Sequence, residues 1–561
     1  MSSIFPARLW LHTQNNPENT AVHFLESNAD DLAVSYQELY LRAADFAEEL
    51  HRSGIKPGEV VILIINYRLD LIYAFWGAIL HGAIPSILPF LTEKLNPERY
   101  LADLTTLLSV TRPSAIVTYG DFRPIVKKAV KENSSVRSVL YLEEITRGEK
   151  QLKNDYPGFH RSAEEVVLLQ HSSGTTGLQK GVALSHQAVF NQLEALSEAI
   201  RIDESSDVIV SWLPLYHDMG LIAGFILPIL SGIPLVLISP FDWVRAPYRL
   251  LQAVSQYRGT LSWLPNFAYN FCAIKIRDRH LEGLDLSSWR AVINCSEPVR
   301  WESHQAFQEK FAAYGLRQTA LQTSYAMAEN TFGVTQSDLD REPSTQCVDQ
   351  DTFLEKGLIK PAEQDKPSLV MMSSGKTLVN TSIRVQDAKG NILPDDSVGE
   401  IALKSNCMLK EYYNRPDATQ KSFQDGWFLT GDYGYLSRGE IYVTGRKKDL
   451  IIVGGKNIYP GDLEELLYEL PGVHPGRAVV FGLYNEKLGT EDVVVIAETD
   501  LEDSQDHQAL ADLIRSHITQ NSPVSLRHVK ITKAGWILKT SSGKTSRSAN
   551  KEKYLSELAS H

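Results

Sequence analysis

The run Leu169-Gln170-His171-Ser172-Ser173-Gly174-Thr175-Thr176-Gly177-Leu178-Gln179-Lys180-Gly181 constrains this chain more than any other feature. Eight of its thirteen residues are Gly, Ser, Thr or Lys, and it continues an apolar stretch, Val166-Val167-Leu168-Leu169, that reads as a strand. Glycines let the backbone turn tightly and aim successive N–H groups at one point. The hydroxyls add donors, and Lys180 adds a full positive charge. Such a loop suits a polyphosphate. It is not a Walker loop, because no Gly stands five residues before a Gly-Lys-Ser/Thr. Gly375-Lys376-Thr377 and Gly543-Lys544-Thr545 fail the same test, with Val370 and Leu538 in the upstream places.

At 561 residues the chain is too long for one core, and two to four domains are expected. A composition of 43% hydrophobic and 22% charged residues is that of a soluble globular protein. The net charge of −12 argues against bulk nucleic-acid binding, which needs a basic footprint. Four scattered cysteines, Cys272, Cys295, Cys347 and Cys407, fit a reducing compartment and carry no zinc-site spacing. The N-terminus lacks the charged-then-apolar layout of a signal peptide, so a cytoplasmic location is expected.

Two long apolar stretches, Leu71 to Leu91 and Leu221 to Ile238, invite a membrane reading. Each contains a Gly and a Pro close together, in Gly82-Ala83-Ile84-Pro85 and Gly232-Ile233-Pro234, where a span would need continuous helix. Each reads instead as a buried helix, a turn and a buried strand. Their likeness predicts two similar α/β layers in one large domain. Residues 333 to 371 are polar, acidic and without clear periodicity. Beyond them, Gly399 to Lys404 and Gly439 to Val443 read as antiparallel strands, and a compact αβ pattern fills the C-terminal end. The charged run Gly445-Arg446-Lys447-Lys448-Asp449 marks either a domain boundary or an ordinary charged turn.

Four further segments are rich in chemistry-bearing side chains. They are Ser211 to Leu221, with Tyr216-His217-Asp218-Met219-Gly220; Cys295-Ser296-Glu297-Pro298 with Ser324-Tyr325-Ala326-Met327-Ala328-Glu329; Thr430-Gly431-Asp432 with Arg446-Lys447-Lys448; and Lys539 to Lys544. Taken with the opening loop, in this order and over nearly the whole length, they resemble the motifs of the adenylate-forming, acyl-activating superfamily. Its members make acyl-AMP from a carboxylic acid and ATP. The resemblance implies an α/β fold: a large multi-layer domain over 1–445 with a small β-rich subdomain, and a small mobile α+β domain over 446–561, with its hinge near Lys448.

The resemblance also implies site residues. Ser172, Ser173, Gly174, Thr175, Thr176, Gly177 and Lys180 would cradle the ATP phosphates. Ser296, Glu297, Pro298, Ser324, Tyr325, Ala326 and Met327 would wall the adenine, and Asp432 and Arg446 would hold the ribose. Glu329 would attend Mg²⁺, a hard cation that takes oxygen ligands beside polyphosphate. Lys544 would bridge the carboxylate and the α-phosphate as charge develops there. His217 would lie near the reacting carboxylate; a structural histidine is the other reading. Asp218 reads as structural.

Within the superfamily, the Ser-Trp-Leu-Pro and His-Asp-Met-Gly-Leu segments are similar to those of the fatty acyl-AMP ligases. So are Pro265 to Tyr269 and Leu284 to Arg290, and the polar segment 333–371 sits where that branch carries an insertion. This implies transfer of a fatty or other carboxylic acyl group to the phosphopantetheine of an acyl carrier protein. The paired Gly454-Gly455 before Lys456 is similar to the coenzyme A ligases, so an acyl-CoA synthetase is the alternative, and an amino- or aryl-acid activating enzyme a third reading. Ala326 and Leu538 replace the family's usual glycine and proline. Residues 527–553 hold eight Lys or Arg and one acid, Glu552; they would either steer an acidic carrier or form a solvated face. A monomer or weak dimer without a membrane span is expected.

Overall fold

The computed structural model describes residues 4–27, 29–92, 97–131, 134–148, 151–172, 180–453, 456–468, 470–474, 476–485, 490–522, 524, 526–540 and 543–559. Two mostly parallel sheets form the body of the N-terminal part of the chain. In one, strands lie in the order Leu321–Thr323, Ala291–Asn294, Leu261–Leu264, Ile209–Ser211, Leu235–Ile238, Thr20–Leu25 and Leu32–Ser35, all parallel except the last. In the other, Ile84–Ile87, Val60–Ile64, Ala115–Thr118 and Ser138–Tyr141 run parallel. The continuous apolar runs that marked these strands follow from burial on both faces.

The two apolar stretches are helix, turn and strand as their breakers dictate. Leu69–His81 ends at Gly82 (φ 81°) and leads to Ile84–Ile87. Met219–Ile226 and Leu227–Ser231 end at Gly232 (φ 79°) and lead to Leu235–Ile238. Among the described residues no helix is long and apolar enough to cross a membrane. One layer draws its strands from distant parts of the chain. Thr20–Leu25, from the first part of the sequence, pairs with Leu235–Ile238. A sheet takes strands by side-chain burial and hydrogen-bond register, not by sequence distance.

A five-stranded antiparallel group, Thr381–Gln386, Gly399–Ser405, Trp427–Ser437, Phe423–Gln424 and Glu440–Arg446, forms the β-rich part. Past Arg446 the chain turns once, and a separate apolar cluster begins around Ile458, Leu463, Leu467, Val480 and Val495. It packs Pro460–Tyr468 and Ser504–Asn521 against the sheet Ala478–Asn485, Thr490–Thr499 and His528–Lys533.

The polar segment 333–371 is ordered. Thr335, Gln336 and Ser337 are buried. Thr345–Asp349 and Ser368–Met372 form a hairpin that carries the helix Gln350–Lys356. Phe353 and Leu354 of that helix lie in the C-terminal apolar cluster.

Candidate active site

The His-Asp-Met-Gly segment follows the strand Ile209–Ser211 and enters a π-helix, Met219–Ile226. Asp218 accepts from the Met219 N–H at 2.8 Å and so caps it. Gly220 is required here: a Cβ would stand 2.2 Å from the Pro214 carbonyl oxygen. Asp218 Oδ1 also lies 2.6 Å from His217 Nδ1. Burial pushes the Asp218 carboxyl up, but His217 and Lys544 outweigh it, and its pKa is lowered. His217 therefore meets Asp218 through Nδ1, and its Nε2 is not engaged in that contact.

Ser296 exits the next-but-one strand, Ala291–Asn294, in the left-handed region at φ 69°. That conformation costs an L-residue about 1–2 kcal/mol. Its carbonyl accepts from Lys544 Nζ at 2.6 Å. Lys544 comes from a C-terminal turn closed by Thr540, whose N–H donates to the Lys544 carbonyl at 2.7 Å. Glu297 does not point freely into the site; its Oε2 accepts from the Phe267 N–H and caps the helix Asn266–Lys275. Pro298 lines a small cavity with Arg300, Met371, Tyr442 and Asp462. There Arg300 Nη2 meets Asp462 Oδ1 at 2.6 Å.

Ser324, Tyr325, Ala326 and Met327 follow the strand Leu321–Thr323. The Ser324 hydroxyl is committed to the Thr335 carbonyl at 2.7 Å. Ala326 pairs with Gly333, and the Met327 N–H donates to the Phe332 carbonyl. Tyr325 is buried, and its hydroxyl donates to Asp432 Oδ2 at 2.7 Å. Arg446 Nε lies 3.3 Å from Asp432 Oδ1, because the two residues are cross-strand partners. The Asp432 charge raises the Arg446 pKa. Lys448 has an exposed side chain in the turn beyond, and Lys447 pairs with Glu400 at 2.8 Å.

Glu329 sits on a strained turn: Thr331, β-branched, has φ 63°. Two groups that the sequence reading did not single out hold this turn. Gln170 Nε2 donates to the Ala328 and Thr331 carbonyls at 2.7 and 2.8 Å. Tyr412 donates from its hydroxyl to Glu329 Oε1 at 2.8 Å, and Lys180 Nζ stands 4.4 Å from the Tyr412 ring centroid. Nothing in local sequence marks Tyr412; it arrives by pairing of Glu411–Tyr412 with Lys180–Ser185. Burial raises the Glu329 pKa.

Ser173, Gly174, Thr175, Thr176 and Gly177 lie outside the described residues, as do Gly454 and Gly455. The loop's two stems are described: Ser172 pairs with Lys180, and His171 Nε2 meets the Ser86 hydroxyl at 2.7 Å. The structure thus gathers His217, Ser296, Lys544 and Asp218 on one side, Tyr325, Asp432 and Arg446 on another, and Glu329 with Tyr412 and Lys180 on a third.

A half-buried carboxylate, an acid–arginine pair and a lysine delivered from the C-terminal region suit a nucleotide and a second anion, and family comparison agrees. Residues 9–413 match the AMP-binding enzyme family, and the chain belongs to it. It is 31% identical to the medium-chain-fatty-acid–[acyl-carrier-protein] ligase JamA of Moorena producens (strain JHB), over 95% of this chain and 92% of that protein. It is 28% identical to the long-chain-fatty-acid–AMP ligase FadD26 of Mycobacterium tuberculosis (strain ATCC 25618 / H37Rv), over 98% and 97% of the two chains. A structure from work on fatty acyl-adenylate ligases of E. coli and L. pneumophila matches with TM-score 0.90 at 27% identity, covering 100% of both chains.

Proposed function

We propose that this enzyme activates a fatty or related carboxylic acid with ATP and passes the acyl group to the phosphopantetheine thiol of an acyl carrier protein. In the first step a carboxylate oxygen bonds to the α-phosphorus, the bond to the bridging β-phosphate oxygen breaks, and pyrophosphate leaves. In the second, the thiol sulfur bonds to the acyl carbon, AMP leaves, and the thiol proton is lost. The observation that carries this reading is Lys544, brought from the C-terminal region to 2.6 Å from the Ser296 carbonyl. A cation at this point supports a reaction in which two anions must meet.

In this reading Asp432 accepts from the ribose hydroxyls, with Tyr325 and Arg446 fixing its orientation. His217, held by Asp218, borders the carboxylate. Lys180 and the loop 172–177 take the phosphates. Mg²⁺ fits the donor set: one half-buried carboxylate, Glu329, leaves the remaining positions to phosphate oxygens and water. When bound, the ion supplies charge neutralisation at the phosphates.

The domains divide near Arg446–Lys448, with Lys448 as the hinge between two working arrangements. The docking of Phe353 and Leu354 in the C-terminal cluster supports a carrier protein over coenzyme A, because it ties segment 333–371 to the part that must turn. The test is incubation with Mg·ATP and a ladder of fatty acids, with either coenzyme A or a holo-carrier, read by mass spectrometry. Acyl-AMP that moves to the carrier alone bears the reading out. Efficient acyl-CoA formation overturns the acceptor, and ADP as product overturns the reaction class.

A further inference from the structure

The parallel strands of the seven-stranded sheet deliver their chains to one edge, where ligands lie in folds of this kind. Across that edge, in order, stand Tyr325 after Leu321–Thr323, Ser296 after Ala291–Asn294, Phe267 after Leu261–Leu264, Trp212 after Ile209–Ser211, and Trp243 after Leu235–Ile238. The first two positions carry the groups assigned to the nucleotide. Lys544 reaches the second, and His217 lies five residues past Trp212. An acid whose carboxylate meets Lys544, with adenosine filling the Tyr325 side, extends its chain toward Phe267 and the tryptophans.

The two indoles stack face to face at that end. Their centroids are 3.5 Å apart and their planes 7° from parallel. The Phe267 ring meets both edge-on at 6.3 and 6.2 Å, and Phe271 tilts against Trp243 at 5.3 Å. Trp212 is 4% exposed and Trp243 0%. Rings at contact distance leave no passage for a methylene chain between them.

We propose that the Trp212–Trp243 stack is the floor of the acyl pocket and sets the longest acid this enzyme activates. This rests on the acyl-activating reading above. The pair determines specificity by volume alone, since neither indole N–H has a partner among the described residues. Replacing Trp243 by Phe therefore removes ring volume and no hydrogen bond.

The test measures pyrophosphate release with straight-chain acids of increasing length for the wild type, Trp243→Ala and Trp243→Phe, alongside thermal melting. Trp243→Ala is expected to move the optimum to longer acids, each newly accommodated methylene raising kcat/KM about fourfold. The KM for ATP should stay put, and Trp243→Phe should show a smaller shift. An unmoved chain-length profile in either folded variant overturns the proposal; if Trp243→Ala does not fold, Trp243→Phe alone decides. A wild type that makes acyl-AMP with an unmoved mutant profile sinks only the role of the stack. A wild type that makes no acyl-AMP from any acid sinks the underlying reading and this proposal with it.

Discussion

Phe353 and Tyr459 stack with ring centroids 5.3 Å apart and planes 25° from parallel. The first ring belongs to the polar segment, the second to the C-terminal region just before the helix Pro460–Tyr468. Lys456 and Glu355 add an ion pair at 2.9 Å beside them. Truncating a buried Phe to Ala costs about 3–5 kcal/mol where the site cannot collapse. Phe353→Ala is therefore expected to loosen the docking and raise the ratio of coenzyme A thioester to carrier thioester by about tenfold, the equivalent of only 1.4 kcal/mol. A competition assay with both acceptors checks this. An unchanged ratio in a folded variant means the segment does not block coenzyme A. Deleting all of 333–371 is a poorer test, because Ser337 accepts from the Thr323 N–H and Thr335 from the Tyr325 N–H.

Lys544→Ala removes the cation beside Ser296. Acyl-AMP formation should fall by about 10²–10³, the usual cost of losing one well-placed charge or donor. ATP binding, measured by calorimetry, should hold within about threefold, since Asp432, Lys180 and Glu329 remain. Retained acyl-AMP formation would remove Lys544 from its assigned role.

Arg300 and Asp462 join the large body to the C-terminal helix at 2.6 Å, with side chains 21% and 25% exposed. A partly exposed pair of this kind contributes about 1 kcal/mol. Each single alanine variant should slow acyl-AMP formation about fivefold, and the double variant should be little worse than either, because the pair is one interaction. Full additivity in the cycle would show that the two residues act separately.

Acid should destabilise the protein early. Burial holds His171 at about 4, and His186 and His304 at about 3. An unfolded histidine titrates near 6.5, so below that pH the unfolded chain binds protons that the folded one refuses. Stability is thus full above pH 6.5 and falls as pH drops toward 3–4. From pH 6.5 to 5.5 each of the three contributes a loss of about 1 kcal/mol. Urea unfolding at both pH values measures it; equal stabilities would mean that these rings are not held neutral.

The strands and turns of the large body were legible because doubly buried strands read as unbroken apolar runs and because Gly82 and Gly232 break them. Ala115–Thr118 begins and ends where the sequence places it, and Val60–Ile64 falls one residue short. The hairpin and helix within 333–371 were not legible. Their apolar contacts, Phe353 and Leu354, are too few to show a period, and they are satisfied by residues a hundred positions away. The basic stretch 527–553 also looked freer than it is. Arg547 is drawn inward to Glu464 and Asp449, Lys530 pairs with Glu557, and Lys553 lies 4.2 Å from the Trp536 ring centroid.

By itself the sequence determined which chemical groups are on hand: a loop of small and hydroxylic residues ending in Lys180, the acids Glu329 and Asp432, and Lys544 on a Gly-Lys turn. Residue type and spacing fix local backbone freedom, charge and donor count, and those survive any fold. Only the tertiary structure decided the pairings. Tyr412 reaches Glu329 by a strand contact, Gln170 clamps the turn below it, Glu297 is spent on a helix cap, and Trp212 meets Trp243 because parallel strands end at a common edge. Such contacts depend on burial and register across the whole chain, which no local pattern encodes.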